Sequence, residues 1–369
     1  MSDGSRFVRP SLEQIPPGDP IPGLAPGVAS LGLNEGLSGP FPSALAAIAA
    51  AVPTLNRYPE RGSARLVAAL AARHGVPEAQ VAVAAGADAL IGYVCQAVLD
   101  PGDEAIVPWP SFPSFVRDAQ KRDGRPVLVP LDADGRLDVA AVREAVTPRT
   151  RLVFVATPNN PTGQAVPAEE LIALVRGLPE HVLPVIDEAY FDYLDPADRF
   201  DAIRDLVCAG DDVLALRTFS KLYGLAGIRV GYGVGPAAVV AAIRKVQRGY
   251  DVGTLAQVAA LASFDDEAEV ERRRAANRVA IADLSDLLRT HGLEPQPGSA
   301  TNFVLVDLGA GADADAVTAA LLAAGVSVQS GTPFGAPTSL RIGAGSAADL
   351  ALLDEALAAA GFSAQFSAG

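Results

Sequence analysis

From Pro42 to about Asp251 the chain alternates helix-like stretches with short apolar runs: Val81–Ala84, Glu104–Val107, Pro126–Pro130, Leu152–Ala156, Leu183–Ile186, Val213–Leu216 and Ile228–Tyr232. Runs with little polar alternation fit strands buried on both faces, as in a parallel sheet covered by crossover helices. Seven of them separated by helical segments predict an α/β fold with a mostly parallel, seven-stranded sheet. Past Asp251 the texture changes. A helical pattern runs from roughly Asp265 to Thr290, acidic at its start and basic at its end, as the helix dipole favours. Phe303–Leu308, Val326–Gln329 and Leu340–Gly343 then read as strands, with helices between and after them. The pattern predicts a large domain over 41–250 and a smaller α+β domain over 251–369. Ahead of both, residues 1–40 are rich in Pro and Gly (IPPGDPIPGLAPG). They read as an extended arm that begins the small domain and lies on another surface, often a partner subunit.

A length of 369 residues with 50% hydrophobic content is enough for about two cored domains. The formal net charge of −14 disfavours nucleic acid and anionic membrane as partners, because both need clustered Lys and Arg. A local site can still oppose the global sign and bind a small anion. No apolar run reaches the roughly 18 residues that span a bilayer, and the opening MSDGSRFVRP has no apolar leader region, so a cytoplasmic protein is expected. Cys95 and Cys208 form no CxxC and are expected to be buried free thiols. His74, His181 and His291 share no ligand spacing, so no metal site is expected.

Of the 29 Lys and Arg residues only three are lysine: Lys121, Lys221 and Lys245. Lys221 follows the Val213–Leu216 strand, where ligand sites collect in α/β sheets. A partly buried, cationic setting lowers an amine's pKa and lets it form an imine. Arg229, Thr218 and Ser220 offer a guanidinium fork and two hydroxyls for a phosphate. Taken alone, such a lysine is as readily a solvated surface group. Asp187 closes another strand and could keep a pyridine nitrogen protonated, with Tyr190 three residues on; it could also simply cap the next helix. Asn160, held by Pro161 in ATPNNPTG, could aim its amide into a cleft or form an ordinary turn. Gly86 precedes Ala87-Asp88 at a helix start, where free N–H groups bind phosphate, although Asp88 could be a plain first-turn charge.

Together these strings resemble the fold-type I pyridoxal-5′-phosphate (PLP) aminotransferases, closest to the histidinol-phosphate and aromatic aminotransferase group. The matching strings are NEG (Asn34–Gly36), RYPE (Arg57–Glu60), GAD (Gly86–Asp88), PSF (Pro110–Phe112), NNPTG (Asn159–Gly163), DEAY (Asp187–Tyr190), SKLYGLAGIRVGY (Ser220–Tyr232) and LRIGAG (Leu340–Gly345). They span nearly the whole chain in the family's order. The resemblance implies that 41–250 is a PLP-binding domain and that the reaction moves an amino group to a 2-oxo acid such as 2-oxoglutarate. The donor would be an amino acid or a histidinol-phosphate-like amine. It implies that Lys221 carries the cofactor as a Schiff base and moves a proton, and that Asp187 pairs the pyridine nitrogen. Asn160 and Tyr190 would contact the ring oxygen, and Phe112 would stack on the ring. Thr218, Ser220, Arg229 and the amides of Ala87 and Asp88 would hold the phosphate. Arg341 would clamp the substrate anion, with Asn34 and Gln329 near the substrate. Tyr58 would reach the neighbouring subunit's phosphate, which implies a homodimer with shared sites.

Two positions depart from the histidinol-phosphate pattern. Gln329 stands where an Arg is usual, and a neutral amide does not replace a bidentate cation. Ile15 stands where the arm usually has Tyr. Both weaken the case for histidinol phosphate and leave open an amino acid with an apolar or aromatic side chain, whose carboxylate needs only Arg341. Decarboxylases and lyases share the cofactor machinery and are the alternative on this fold, but a clamped carboxylate is not easily lost. A nicotinamide-dependent oxidoreductase is disfavoured. Gly309–Ala314 fits GxGxxA after a strand, yet no acidic residue occurs from Ala316 to Ser346 to bind ribose.

Overall fold

The structure, a computed structural model, describes residues 7–16, 26–197 and 199–362. Its first strand is β1 (Ala29–Ser30). The central sheet is built from β2 (Val81–Ala84), β3 (Glu104–Trp109), β4 (Arg125–Pro130), β5 (Thr150–Ala156), β6 (Leu183–Asp187), β7 (Leu214–Thr218) and β8 (Gly231–Val234). The spatial order is β2-β8-β7-β6-β5-β3-β4. All neighbours run parallel except β8, which is antiparallel to both β2 and β7. The expected mostly parallel seven-stranded α/β sheet is therefore present.

The inner strands read as unbroken apolar runs because each face meets its own helical layer, whereas the edge strand β4 is largely half-buried or exposed. Val153 and Val155 of β5 join Phe41, Leu66 and Leu171 on one side. Leu152 and Phe154 join Leu90, Phe115 and Ile243 on the other. Full burial of a side chain of this size contributes about 1.5–3 kcal/mol, so a polar residue at these positions would be costly. The last strand begins later than the expected Ile228–Tyr232. Ala226–Ile228 instead forms a 3₁₀ turn, and Arg229 takes a left-handed φ of 57°, which a strand cannot accommodate.

Beyond residue 251 the helix Glu267–Thr290 is capped by Asp266, whose side chain accepts from Glu269 N. The strands β9 (Phe303–Asp307), β10 (Val326–Ser327), β11 (Gln329–Ser330) and β12 (Ser339–Gly343) follow. β12 pairs antiparallel with β9 and β11, whereas β10 pairs parallel with β1. The expected single strand Val326–Gln329 is thus split at Val328, because its two halves serve different partners. Leu284, Leu288, Leu321, Leu353 and Leu357 fill the core around these strands. Among the described residues no helix is long and apolar enough to cross a membrane.

The described part of the arm packs on a surface of its own chain. Pro10–Gln14 is a 3₁₀ turn, and Arg9 donates to the Asp123 carboxylate (2.9 Å) and the Lys121 carbonyl (2.8 Å) of its own chain. Both acceptors lie just past the helix Pro113–Gln120, where exposed carbonyls and the helix dipole attract a cation. Residues 1–6 and 17–25 lie outside the described residues. Cys95 is buried as expected, but Cys208 is exposed. It caps the turn Ile203–Val207 on the solvent side, and its thiol reaches only the His74 carbonyl (3.6 Å).

Behind the sheet, Glu188 and Arg217 form a buried pair. Glu188 Oε2 accepts from Arg217 Nε and Nη2, both at 3.0 Å, and Arg217 also donates to Asp201 at 2.6 Å. The two residues directly follow and precede groups facing the front, Asp187 and Thr218. The pair therefore pins the ends of β6 and β7 from the rear. Removing one partner of a buried pair leaves the other charge uncompensated, at about 3–5 kcal/mol. We expect Glu188→Ala to lower the thermal unfolding midpoint by several degrees at pH 7 in differential scanning fluorimetry. A midpoint unchanged from the parent would show that the pair is dispensable.

Candidate active site

The carboxyl ends of β5, β6 and β7 meet beside β12, at the position where open α/β sheets collect ligands. A cavity of about 390 Å³ opens there, within the usual range for a small-molecule site. Its walls include Lys221, Asp187, Tyr190, Asn160, Thr218, Ser220 and Arg229. Ala87, Asp88, Phe112, Asn34, Gln329 and Arg341 complete the set selected from the sequence. Tyr58 is the exception. It is 81% exposed, lies outside the cavity and stacks on Tyr250 at 4.7 Å between ring centroids. Ile15 also lies outside the cavity wall.

Lys221 sits in a tight turn after β7. Ser220 N donates to Thr218 Oγ1 (3.1 Å), and Gly224 N donates to Lys221 O (3.0 Å). Its amine faces the cavity and donates to the carbonyl of Asn34 (3.2 Å), a residue with φ 54°. Burial, with Arg341 and Arg229 as neighbouring cations, lowers the amine to about 7. Asp187 ends β6, and its Oδ1 accepts from Ala189 N at 3.0 Å, a local turn that fixes the carboxylate. Burial raises this carboxyl to about 6. A buried carboxylate with so little support is completed by a cationic N–H donor.

Opposite lies an anion cradle. Gly86 (φ 95°) precedes the helix Ala87–Val98, whose first-turn N–H groups lack intrahelical acceptors. A Cβ on Gly86 would lie 2.6 Å from Arg229 Nη2, so only glycine admits the guanidinium here. Arg229 Nη1 is 3.3 Å from Ser220 Oγ. The left-handed backbone of Arg229 costs of order 1–3 kcal/mol and is tolerated where function requires it.

On the far wall Arg341 is 4% exposed. It donates to Asn160 Oδ1 (2.7 Å) and to the Gly32 carbonyl, while its Nε has no partner among the described residues. Its Cζ lies over the rings of Phe303 and Phe334, 5.5 and 4.7 Å from their centroids. Burial lowers Arg341 to about 10. Gln329 is its register partner across β11 and β12, so its amide stands directly opposite the guanidinium strand position. Tyr190 accepts a hydrogen bond from Asn34 Nδ2 at 2.9 Å. Two contributors escaped the sequence reading: Phe334 on the cavity wall and Phe303 behind Arg341. A lone aromatic in the Gly- and Pro-rich string GTPFGAP, just ahead of the Arg341 strand, was the available signal for Phe334.

The site thus offers a low-pKa amine, a buried carboxylate lacking a cationic partner, and a phosphate cradle. That donor set fits pyridoxal phosphate, which carries an aldehyde, a ring nitrogen and a phosphate.

Comparison with known proteins agrees. Residues 26–359 match the family described as aminotransferase class I and II. The chain is 41% identical over 291 residues to the aromatic amino acid aminotransferase of Rhodococcus opacus, covering 78% of this chain and 80% of that one. It is 37% identical over 354 residues to the histidinol-phosphate aminotransferase of Granulibacter bethesdensis, covering 95% of each. The solved histidinol-phosphate aminotransferase of Sinorhizobium meliloti, in complex with pyridoxal-5′-phosphate, superposes with a TM-score of 0.84 at 29% identity. That match covers 96% of this chain and 98% of the other.

Proposed function

The chain belongs to the class I and II aminotransferases, and on that footing we propose that its amino donor is a 2-amino acid with an apolar or aromatic side chain rather than a phosphate ester. It is a PLP-dependent transaminase. When bound, pyridoxal phosphate supplies an electron sink for negative charge at the donor's Cα. The rest falls to the chain's own groups. Lys221 Nζ would hold the cofactor covalently and, as a free amine, would take the proton from the donor's Cα as general base. Asp187 would accept from the ring nitrogen's N–H and favour its cationic form. Asn160 and Tyr190 would hold the ring oxygen, and Phe112 would pack on the ring. Thr218, Ser220, Arg229 and the first-turn amides of Ala87 and Asp88 hold the phosphate. Arg341 anchors the donor's carboxylate, with Asn34 closing the wall beside it.

The donor class rests on one observation. The Cζ of the buried Arg341 lies over the rings of Phe303 and Phe334, and its cross-strand neighbour is the neutral Gln329. A planar carboxylate can be met by the in-plane edge of one guanidinium. A phosphate dianion calls for a second cation, and position 329 does not supply one. Retention of the carboxylate by Arg341 also favours transamination over decarboxylation. We further propose a homodimer in which Tyr58 completes the neighbouring subunit's phosphate site. Its exposed ring, held by Tyr250 away from its own cavity, supports this assignment.

A donor panel of phenylalanine, tyrosine, glutamate and histidinol phosphate, read as loss of the cofactor's visible absorbance, tests the assignment. Phenylalanine or tyrosine should exceed histidinol phosphate by at least about tenfold in kcat/KM, the scale of one lost charged contact. If histidinol phosphate is the best donor, the role given to Gln329 is wrong.

A further inference from the structure

Most large apolar side chains of the cavity already have a task. Phe112 and Tyr190 are committed to the cofactor, and Leu33 is 40% exposed at the mouth. One remains: Phe334, 6% exposed and on the same wall as Arg341.

Its position is fixed from behind. Phe334 ends the short turn Thr332–Phe334, closed by Phe334 N donating to Gly331 O at 2.9 Å and Gly335 N donating to Thr332 O at 3.1 Å. Gly335 has φ 89°, and a Cβ there would lie 1.9 Å from Trp109 Nε1. The turn's backbone therefore rests directly on the indole. Trp109 ends β3 of the central sheet, so a residue from the β11–β12 connection is braced on the opposite side of the cleft. Arg341 Cζ lies over the Phe334 ring, 4.7 Å from its centroid. The ring therefore stands beside any donor whose carboxylate is held there.

We propose that Phe334, pinned by Trp109 through Gly335, is the specificity-determining residue of this transaminase: the buried wall against which the donor's flat side chain packs. The proposal rests on the reading that Arg341 anchors the donor carboxylate. Aromatic pairs favour offset or edge contacts that a small aliphatic side chain cannot make. The wall therefore adds affinity for an aromatic donor and little for alanine.

The test uses the holoenzyme and two unreactive carboxylates, 3-phenylpropanoate and propanoate, with dissociation constants measured by calorimetry. The kcat/KM ratio of phenylalanine to alanine is measured alongside. Phe334→Ala should weaken 3-phenylpropanoate by at least about tenfold, the scale of a lost aromatic contact plus its buried area. Propanoate should change by less than about threefold, and the phenylalanine-to-alanine ratio should fall in step. Phe334→Leu keeps apolar volume and should lose about threefold of that ratio. Gly335→Ala keeps the ring but drives the turn off Trp109, and should lose as much selectivity as Phe334→Ala. Because Trp109 is the sole tryptophan, its emission should shift in Gly335→Ala. Parallel weakening of both carboxylates by Phe334→Ala, or no change in either, overturns the proposal. Retained selectivity in Gly335→Ala overturns the pinning by Trp109. Arg341→Lys separates the premise: if it leaves both carboxylates bound as before, the anchor reading falls. If it weakens both while Phe334→Ala leaves their ratio intact, the anchor stands and Phe334 alone is excluded.

Discussion

Replacing Lys221 by alanine should cut turnover by about 10⁴-fold or more, the upper end of what a positioned general base contributes. It should also abolish the covalent tag that borohydride leaves on the cofactor-loaded protein. The parent protein should carry that tag on the peptide containing residue 221 and nowhere else, by mass spectrometry. The pH dependence gives an independent check. Only the neutral amine attacks an aldehyde. An ordinary lysine near 10.4 is less than about one part in a thousand neutral at pH 7. Burial and two arginines bring Lys221 to about 7, so about half is neutral there. The rate at which the cofactor-free protein captures pyridoxal phosphate should rise about tenfold per pH unit below 7 and level off above it. A rate still climbing at pH 9 would mean an unshifted amine and would remove Lys221 from the role.

Asp187→Asn should produce the second large loss, about 10³-fold in kcat, with KM little changed. The amide keeps the shape of the carboxylate but not its charge. In a buried site that charge is worth far more to a cationic ring nitrogen than it would be in water. The sign of the pH effect follows from burial. The unpaired carboxyl sits at about 6, above its usual 3.8, because burial penalises the ionised form. A cationic partner relieves that penalty, so cofactor affinity should weaken as pH falls through about 6. Asp187→Asn should lack this step, as followed by equilibrium titration of the visible band. Turnover within about threefold of the parent would exclude Asp187 from the task.

How much of this was legible in the chain varies with the element. The strands β2, β3, β5, β6 and β7 were visible because burial on both faces leaves near-continuous apolar runs, whereas the half-exposed edge strand β4 was visible only as a short apolar run. β8 was placed too early because apolarity alone does not register the left-handed backbone of Arg229. The Val326–Gln329 run hid a change of partner, which is set by distant residues: Ala29 and Ser30 for one half, Leu340 and Arg341 for the other. The cavity-lining residues that end strands were found because strand ends are where ligands gather. Phe334 was not, since a single aromatic in a turn has no period to betray its burial. The docking of Arg9 was equally hidden. It depends on a carbonyl and a carboxylate more than 100 residues away in sequence.

The pairing of β1 with β10 carries a consequence for biogenesis. Residues 29 and 30 leave the ribosome early, yet their ladder partners at 326 and 327 emerge about 300 residues later. At about 5–20 residues per second, the early segment waits for about 15–60 s. All seven strands of the central sheet, and the helix bearing Ile243 that covers one of its faces, lie before residue 247, so the sheet can assemble meanwhile. The wall bearing Arg341 is therefore completed last, with its first strand already made and held in reserve.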